Sequence, residues 1–124
     1  MTAQIARQSV LLVEDDLLQA QSTAFVLSDA GANVIGPFSN IDEALEALEQ
    51  TPAQCAVLDL DLGQGMDLAP AQKLRARGVP VVLLTGYGVE ELPAELASLP
   101  VVEKPFPPGV LVEAIVRILP ASSV

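Results

Sequence analysis

The chain has 124 residues, the usual size of one domain and enough to bury a core without disulfide or metal staples. Sixteen acids against six bases give a formal charge of −10, with no Lys/Arg cluster anywhere, so direct binding to nucleic acid or anionic lipid is disfavoured and basic protein partners or metal cations are favoured. The absence of histidine removes the commonest general base, the commonest zinc ligand and every Ser-His-Asp or Cys-His arrangement. Half of the residues (51%) are apolar, but each uninterrupted apolar run is far short of the roughly 20 residues that span a bilayer. The opening MTAQIARQSV lacks the regions of a signal peptide, and a cytoplasmic protein is expected. One cysteine, Cys55, allows no internal disulfide and lies in an apolar run, where a buried, inert thiol is expected.

Strand-like and helix-like segments alternate from the start. Ser9–Val13 (SVLLV) reads as a strand that stops on Glu14, Asp15 and Asp16, and residues 17–30 read as a helix closed by Gly31. Asn33–Phe38 (NVIGPF) is a weaker strand. Asn40 with Glu43 three residues on forms a capping box for a helix whose apolar stripe is Ile41, Ala44, Leu45 and Leu48. A third strand spans residues 55–58, followed by a glycine-rich turn and a helix over 67–77 ending at Gly78. Residues 80–85 (PVVLLT) are the most continuously apolar stretch, as befits a central strand of a parallel sheet. A poor helix over 89–99, interrupted by Pro93, leads to a short strand at Val101–Glu103, and after KPFPP a good helix runs over 110–119.

Five strands alternating with five helices imply right-handed crossovers onto one parallel sheet covered on both faces. The expected fold is an α/β, flavodoxin-like, doubly wound domain with strand order 2-1-3-4-5, occupying residues 1–124 as one unit with its core at about 9–119. The tail PASSV follows directly on the last helix, and the chain is expected to be complete.

In such folds ligands bind beyond the carboxyl ends of the strands. Glu14, Asp15 and Asp16 stand there after the first strand, Asp59 and Asp61 after the third, Thr85 after the fourth and Lys104 after the fifth. Each alone also reads as a solvated turn, a helix-start acid, a strand residue or a surface charge. Their coincidence at one sheet edge is what points to a site. Clustering Glu14, Asp15 and Asp59 costs repulsion that a cation relieves, and hard oxygen ligands select Mg²⁺ or Mn²⁺. A carboxylate beside Mg²⁺, a lysine and a hydroxyl is well placed to attack phosphorus, which makes Asp59 a candidate nucleophile with an acyl phosphate as its product.

The motifs VLLVEDD, VLDLDLGQG, VVLLTGYG and VEKPF, in this order over about residues 9–119, resemble those of the receiver domain of two-component response regulators. The resemblance implies that Asp59 is the phosphoacceptor, that Glu14 and Asp15 hold Mg²⁺, that Thr85 senses the phosphoryl group and that Lys104 pairs with it. Asp61 matches a position that gives the metal a backbone carbonyl. Asp61 and Tyr87 match positions that tune the lifetime of the phosphoryl group, and the bond between Lys104 and Pro105 is expected to be cis. Asp16 matches no fixed role and is expected to start a helix.

On this resemblance the donor is a sensor histidine kinase or a histidine phosphotransfer protein, or a small acyl phosphate, since the chain has no histidine of its own. Output is expected through contact with a downstream protein, without direct nucleic-acid or membrane binding and without turnover of the kind an enzyme performs. Val101 stands where the family often carries an aromatic residue, and the segment between Thr85 and Lys104 is short for the family. Two other readings are a degenerate receiver that binds a partner without being phosphorylated and a haloacid-dehalogenase-like phosphatase. The second family opens on its Asp-x-Asp, whereas here Glu14 and Asp15 precede Asp59.

Overall fold

In the computed structural model, which describes residues 5–59, 69–86, 94 and 99–119, the first apolar run forms β1 (Ser9–Val13). The next helix, α1 (Leu17–Asp29), opens on Asp16, whose carboxylate accepts the Gln19 N–H at 3.0 Å. That bond satisfies one of the donors a helix start leaves orphaned. Asp16 is thus the helix-start residue expected of it. At the other end Gly31 takes a φ of +96°, its N–H donating to Ser28 O at 2.9 Å while Ala32 N–H donates to Leu27 O at 3.1 Å. This is the left-handed closure that glycine permits without a Cβ penalty.

After β2 (Asn33–Phe38), the expected cap of α2 (Ile41–Leu48) is in place, with the Asn40 side chain accepting the Glu43 N–H at 2.9 Å. β3 (Cys55–Asp59) runs one residue further than the apolar pattern alone suggests, so Asp59 is the last residue of the strand itself. α3 (Ala69–Ala76) closes on Gly78 as α1 does on Gly31, with Gly78 N–H to Arg75 O at 2.9 Å. β4 (Val81–Thr85) and β5 (Val101–Glu103) complete the strands, and α4 (Pro108–Ile118) is the last helix. It starts two residues before the expected Val110, because Pro108 at the first helical position gives up an N–H that would have had no partner there. The helix expected over 89–99 and the start of the one expected over 67–77 fall largely outside the described residues, as do Asp61, Tyr87 and Pro93.

All strand pairs are parallel and the sheet order is β2-β1-β3-β4-β5, the predicted doubly wound topology. Alternation along each strand sends side chains to opposite faces. Leu11, Val13, Ala56, Leu58, Val81 and Leu83 meet Ala44 of α2 and Ala71 and Leu74 of α3. Val10, Leu12, Cys55, Val57, Val82, Leu84 and Val102 meet Leu27 of α1 and Leu111 and Ile115 of α4. Every residue of β3 and β4 is buried, which is why both read as unbroken apolar runs until their last, polar residue. Burial pushes the Cys55 thiol up to about 12, so it is a core residue and not a reactive one.

α1 is unusual in what it leaves outside. It buries Ala20, Thr23 and Leu27 but exposes Leu17, Leu18 and Phe25. Among the described residues, no helix is long and apolar enough to cross a membrane.

These positions predict opposite outcomes for two leucines. Leu83→Ala, at 0% exposure in β4, lowers the unfolding free energy by about 2–5 kcal/mol through lost transfer energy and the cavity left behind. Leu18→Ala, at 75% exposure, stays within about 0.5 kcal/mol of wild type. Urea denaturation of both variants measures the difference, and similar losses would contradict the packing described here.

Candidate functional site

The sheet delivers four of its strand ends, those of β1, β3, β4 and β5, to one edge. β1 stops at Val13, and the next residue, Glu14, is fixed by its backbone N–H donating to Phe38 O of β2 at 2.8 Å. Its side chain turns into the interior, with the residue 4% exposed, whereas Asp15 and Asp16 are exposed. Asp59 ends β3 opposite Leu84 of β4 and is wholly buried, and Thr85 ends β4 opposite Glu103 of β5 and is also wholly buried. The ladder continues one step past β5, where Lys104 N–H donates to Thr85 O at 2.8 Å. Lys104 is followed by a cis bond to Pro105, as expected.

From there the lysine side chain reaches inward. Its ammonium donates to Asp59 Oδ2 and to Gln19 Oε1 of α1, and it lies 3.7 Å from Glu14 Oε1. Glu14 Oε2 accepts the Asp16 N–H at 3.1 Å, but Glu14 Oε1 is buried without a hydrogen-bond partner. Among the described residues the site is thus two buried carboxyl groups and one ammonium in a poorly solvated place, where ionisation of both carboxyls would leave a net negative charge. Such an arrangement is costly unless a further positive group joins it.

The electrostatics express this cost. Burial, and then the neighbouring Asp59 carboxyl, push the Glu14 carboxyl up to about 8, against smaller opposing effects from the Asp16 N–H and the Lys104 charge. The structure therefore brings Glu14, Asp59 and Lys104 together and sets Thr85 on the adjacent strand end. Among the described residues no three Asp, Glu or Cys side chains are gathered closely enough to hold a metal ion by themselves. The groups positioned to contribute to a cation are Glu14 Oε1, which lacks a hydrogen-bond partner, and the Asp59 carboxylate, with Asp15 adjacent in sequence.

Gln19 is the site residue that sequence reasoning passed over. The sequence marks it only as a helix residue; the available signal is a polar side chain in the first turn of a helix that leaves the strand-end acids, next to the apolar pair Leu17 and Leu18. Beside it, Leu18, Thr23, Val26, Lys104 and Phe106 line a groove of about 380 Å³ between α1 and the segment after β5.

Comparison with known proteins agrees with this fold. Residues 10–116 match the family model of the response regulator receiver domain. The transcriptional regulatory protein FixJ of Bradyrhizobium diazoefficiens is 28% identical over 102 residues, covering 78% of this chain and 49% of FixJ, so the chain spans about half the length of that relative. Among solved structures, the BeF3-activated SdrG of Pseudomonas melonis Fr1 superposes with a TM-score of 0.78 at 28% identity, over 89% of this chain and 94% of that one. The response regulator PhyR of Brucella abortus superposes with a TM-score of 0.76 at 26% identity, over 94% of this chain and 50% of that one.

The raised Glu14 carboxyl predicts a pH dependence. Its folded-state value of about 8 lies above the ordinary 4.5, so between the two the folded protein binds more protons than the unfolded chain. The contribution is fully present below pH 4.5 and is lost as pH rises through 8. Urea unfolding in the presence of a chelator is expected to show stability falling across that window, with a shallower fall in Glu14→Gln. Equal slopes in the two proteins would show that Glu14 is not the group responsible.

Proposed function

The chain belongs to the response regulator receiver domain family, and from that premise we propose that it accepts a phosphoryl group on Asp59 from a histidine of a sensor histidine kinase or a histidine phosphotransfer protein. The observation that carries this reading is a wholly buried carboxylate at a central strand end, paired with the Lys104 ammonium and flanked by a second buried carboxyl whose Oε1 has no hydrogen-bond partner. An Asp59 oxygen forms the bond to phosphorus while the bond from phosphorus to the donor imidazole breaks, its electron pair staying with the imidazole. Lys104 then exchanges the Asp59 carboxylate for an oxygen of the bound phosphoryl group, and the Thr85 hydroxyl is the group that reads its arrival. Positive charge arranged in advance of the reaction is the main contribution such a site makes.

Mg²⁺, with Mn²⁺ able to replace it, is the proposed cofactor. Glu14, Asp15, Asp59 and the backbone carbonyl of Asp61 would hold it. Bound there, it neutralises charge on the transferring oxygens. Asp61 and Tyr87 are proposed to set how long the acyl phosphate lasts.

Output is proposed to pass through contact with a downstream protein in the cytoplasm. The charge of −10 disfavours direct contact with nucleic acid. Val101, half-buried in β5, occupies the position where the family often has an aromatic residue, so the output is proposed not to depend on an aromatic side chain turning inward. Self-catalysed loss of the phosphoryl group is proposed in place of enzymatic turnover.

Asp59→Asn is expected to abolish phosphate uptake from acetyl phosphate and Mg²⁺, with the far-ultraviolet circular dichroism of the wild type, because the amide keeps the shape but loses the attacking charge. Mass spectrometry counts the phosphate, and equal uptake by both proteins would remove Asp59 from the reaction. Mg²⁺ in the millimolar range, at constant ionic strength, is expected to raise the melting temperature by several degrees in wild type and by less in Glu14→Gln, since the ion binds the folded state alone. Melting curves that ignore Mg²⁺ would count against the metal.

A further inference from the structure

Lysine carries its charge on a flexible four-carbon stem with three donor hydrogens that rotate together, so a site that depends on a lysine must also fix its direction. Lys104 is fixed by acceptors on two elements far apart in sequence, Asp59 on β3 and Gln19 on α1. We infer that Gln19 is a positioning residue for phosphoryl transfer, its amide oxygen holding one ammonium hydrogen of Lys104 and thereby aiming the others towards Asp59. The inference rests on the phosphoacceptor reading above and adds to it a residue outside the set of strand-end groups.

Two features of Gln19 suit it to this task. Its backbone is anchored, since its own N–H donates to the Asp16 carboxylate at 3.0 Å in the first turn of α1. Its bond to Lys104 is independent of Asp59. When a phosphoryl group arrives and the pairing between Lys104 and Asp59 is exchanged, the bond to Gln19 remains. The Lys104 side chain is 18% exposed and lines the groove beside α1, so without that tether the stem has room to swing away from Asp59.

The test uses acetyl phosphate with Mg²⁺ as donor, where an Asp59 oxygen gains phosphorus and acetate leaves with the electron pair of the broken P–O bond. Gln19→Met keeps the length and bulk of the side chain and removes the amide acceptor. It is expected to lower the phosphorylation rate constant at saturating donor about fivefold, the equivalent of one hydrogen bond, without moving the half-saturating donor concentration. Gln19→Glu keeps an acceptor oxygen. It is expected to hold the saturating rate within about twofold of wild type while raising the half-saturating concentration, because the added charge repels an anionic donor. The melting temperatures of both variants are expected to match wild type.

A Gln19→Met protein as fast as wild type, or faster, would overturn the inference while leaving the phosphoacceptor reading intact. Equal losses of saturating rate in the Met and Glu variants would also overturn it, since the acceptor oxygen would then not be what matters. A wild-type protein that takes up no phosphate would overturn the phosphoacceptor reading itself, and this inference with it.

Discussion

One ammonium shared by two buried carboxylates is the constraint around which the rest of this molecule is arranged. Were Glu14 and Asp59 both ionised they would outweigh Lys104 in charge, and both carboxyls lie where water is scarce. Such a group persists only if its members cannot drift apart or turn to solvent. The parallel ladder supplies that rigidity, because the backbone of Glu14 is bonded to β2, Asp59 lies in register with β4, and Lys104 is bonded to Thr85. The two apolar layers above and below the sheet hold the ladder flat against helices. Their contribution is measured less in any single contact than in keeping four strand ends level with one another.

Much of this was legible in the sequence because local rules and the global fold agree. Asp16, Asn40, Gly31 and Gly78 each mark a helix boundary by a mechanism that needs only a few neighbouring residues, and each does so in the folded chain. The site residues were legible for a different reason. Once alternating strands and helices imply a parallel sheet, the polar residue that ends each apolar run must stand at the same edge.

What was not legible depends on rotation and burial. Glu14 and Asp15 are neighbours of the same charge, yet one is buried with its carboxyl pushed up and the other is exposed, a difference set by how the chain leaves β1. The phase of α1 was equally hidden. Its apolar residues include Leu17, Leu18 and Phe25, all turned outward, while the face against the sheet is made of Ala20, Thr23 and Leu27. Ala20, Ala24 and Leu27 do repeat at helical spacing, but the larger Leu17, Leu18 and Phe25 compete with them for the core face, and the reach of Gln19 to Lys104 is hidden with it. The early start of α4 is a smaller case, in which Pro108 signals a beginning as readily as an interruption.

Cys55 has a practical consequence for anyone who wishes to watch this protein at work. The chain has one thiol, shut inside the sheet and some units of pH away from forming a thiolate under ordinary conditions. Thiol-directed dyes and spin labels attack the thiolate, so the native protein is already a silent background. A cysteine introduced on the outer surface of α1 would take up such a probe alone, with the native residue left in place and the core undisturbed. The groove beside Lys104 could then be followed by fluorescence or by electron spin resonance while the site beneath it reacts.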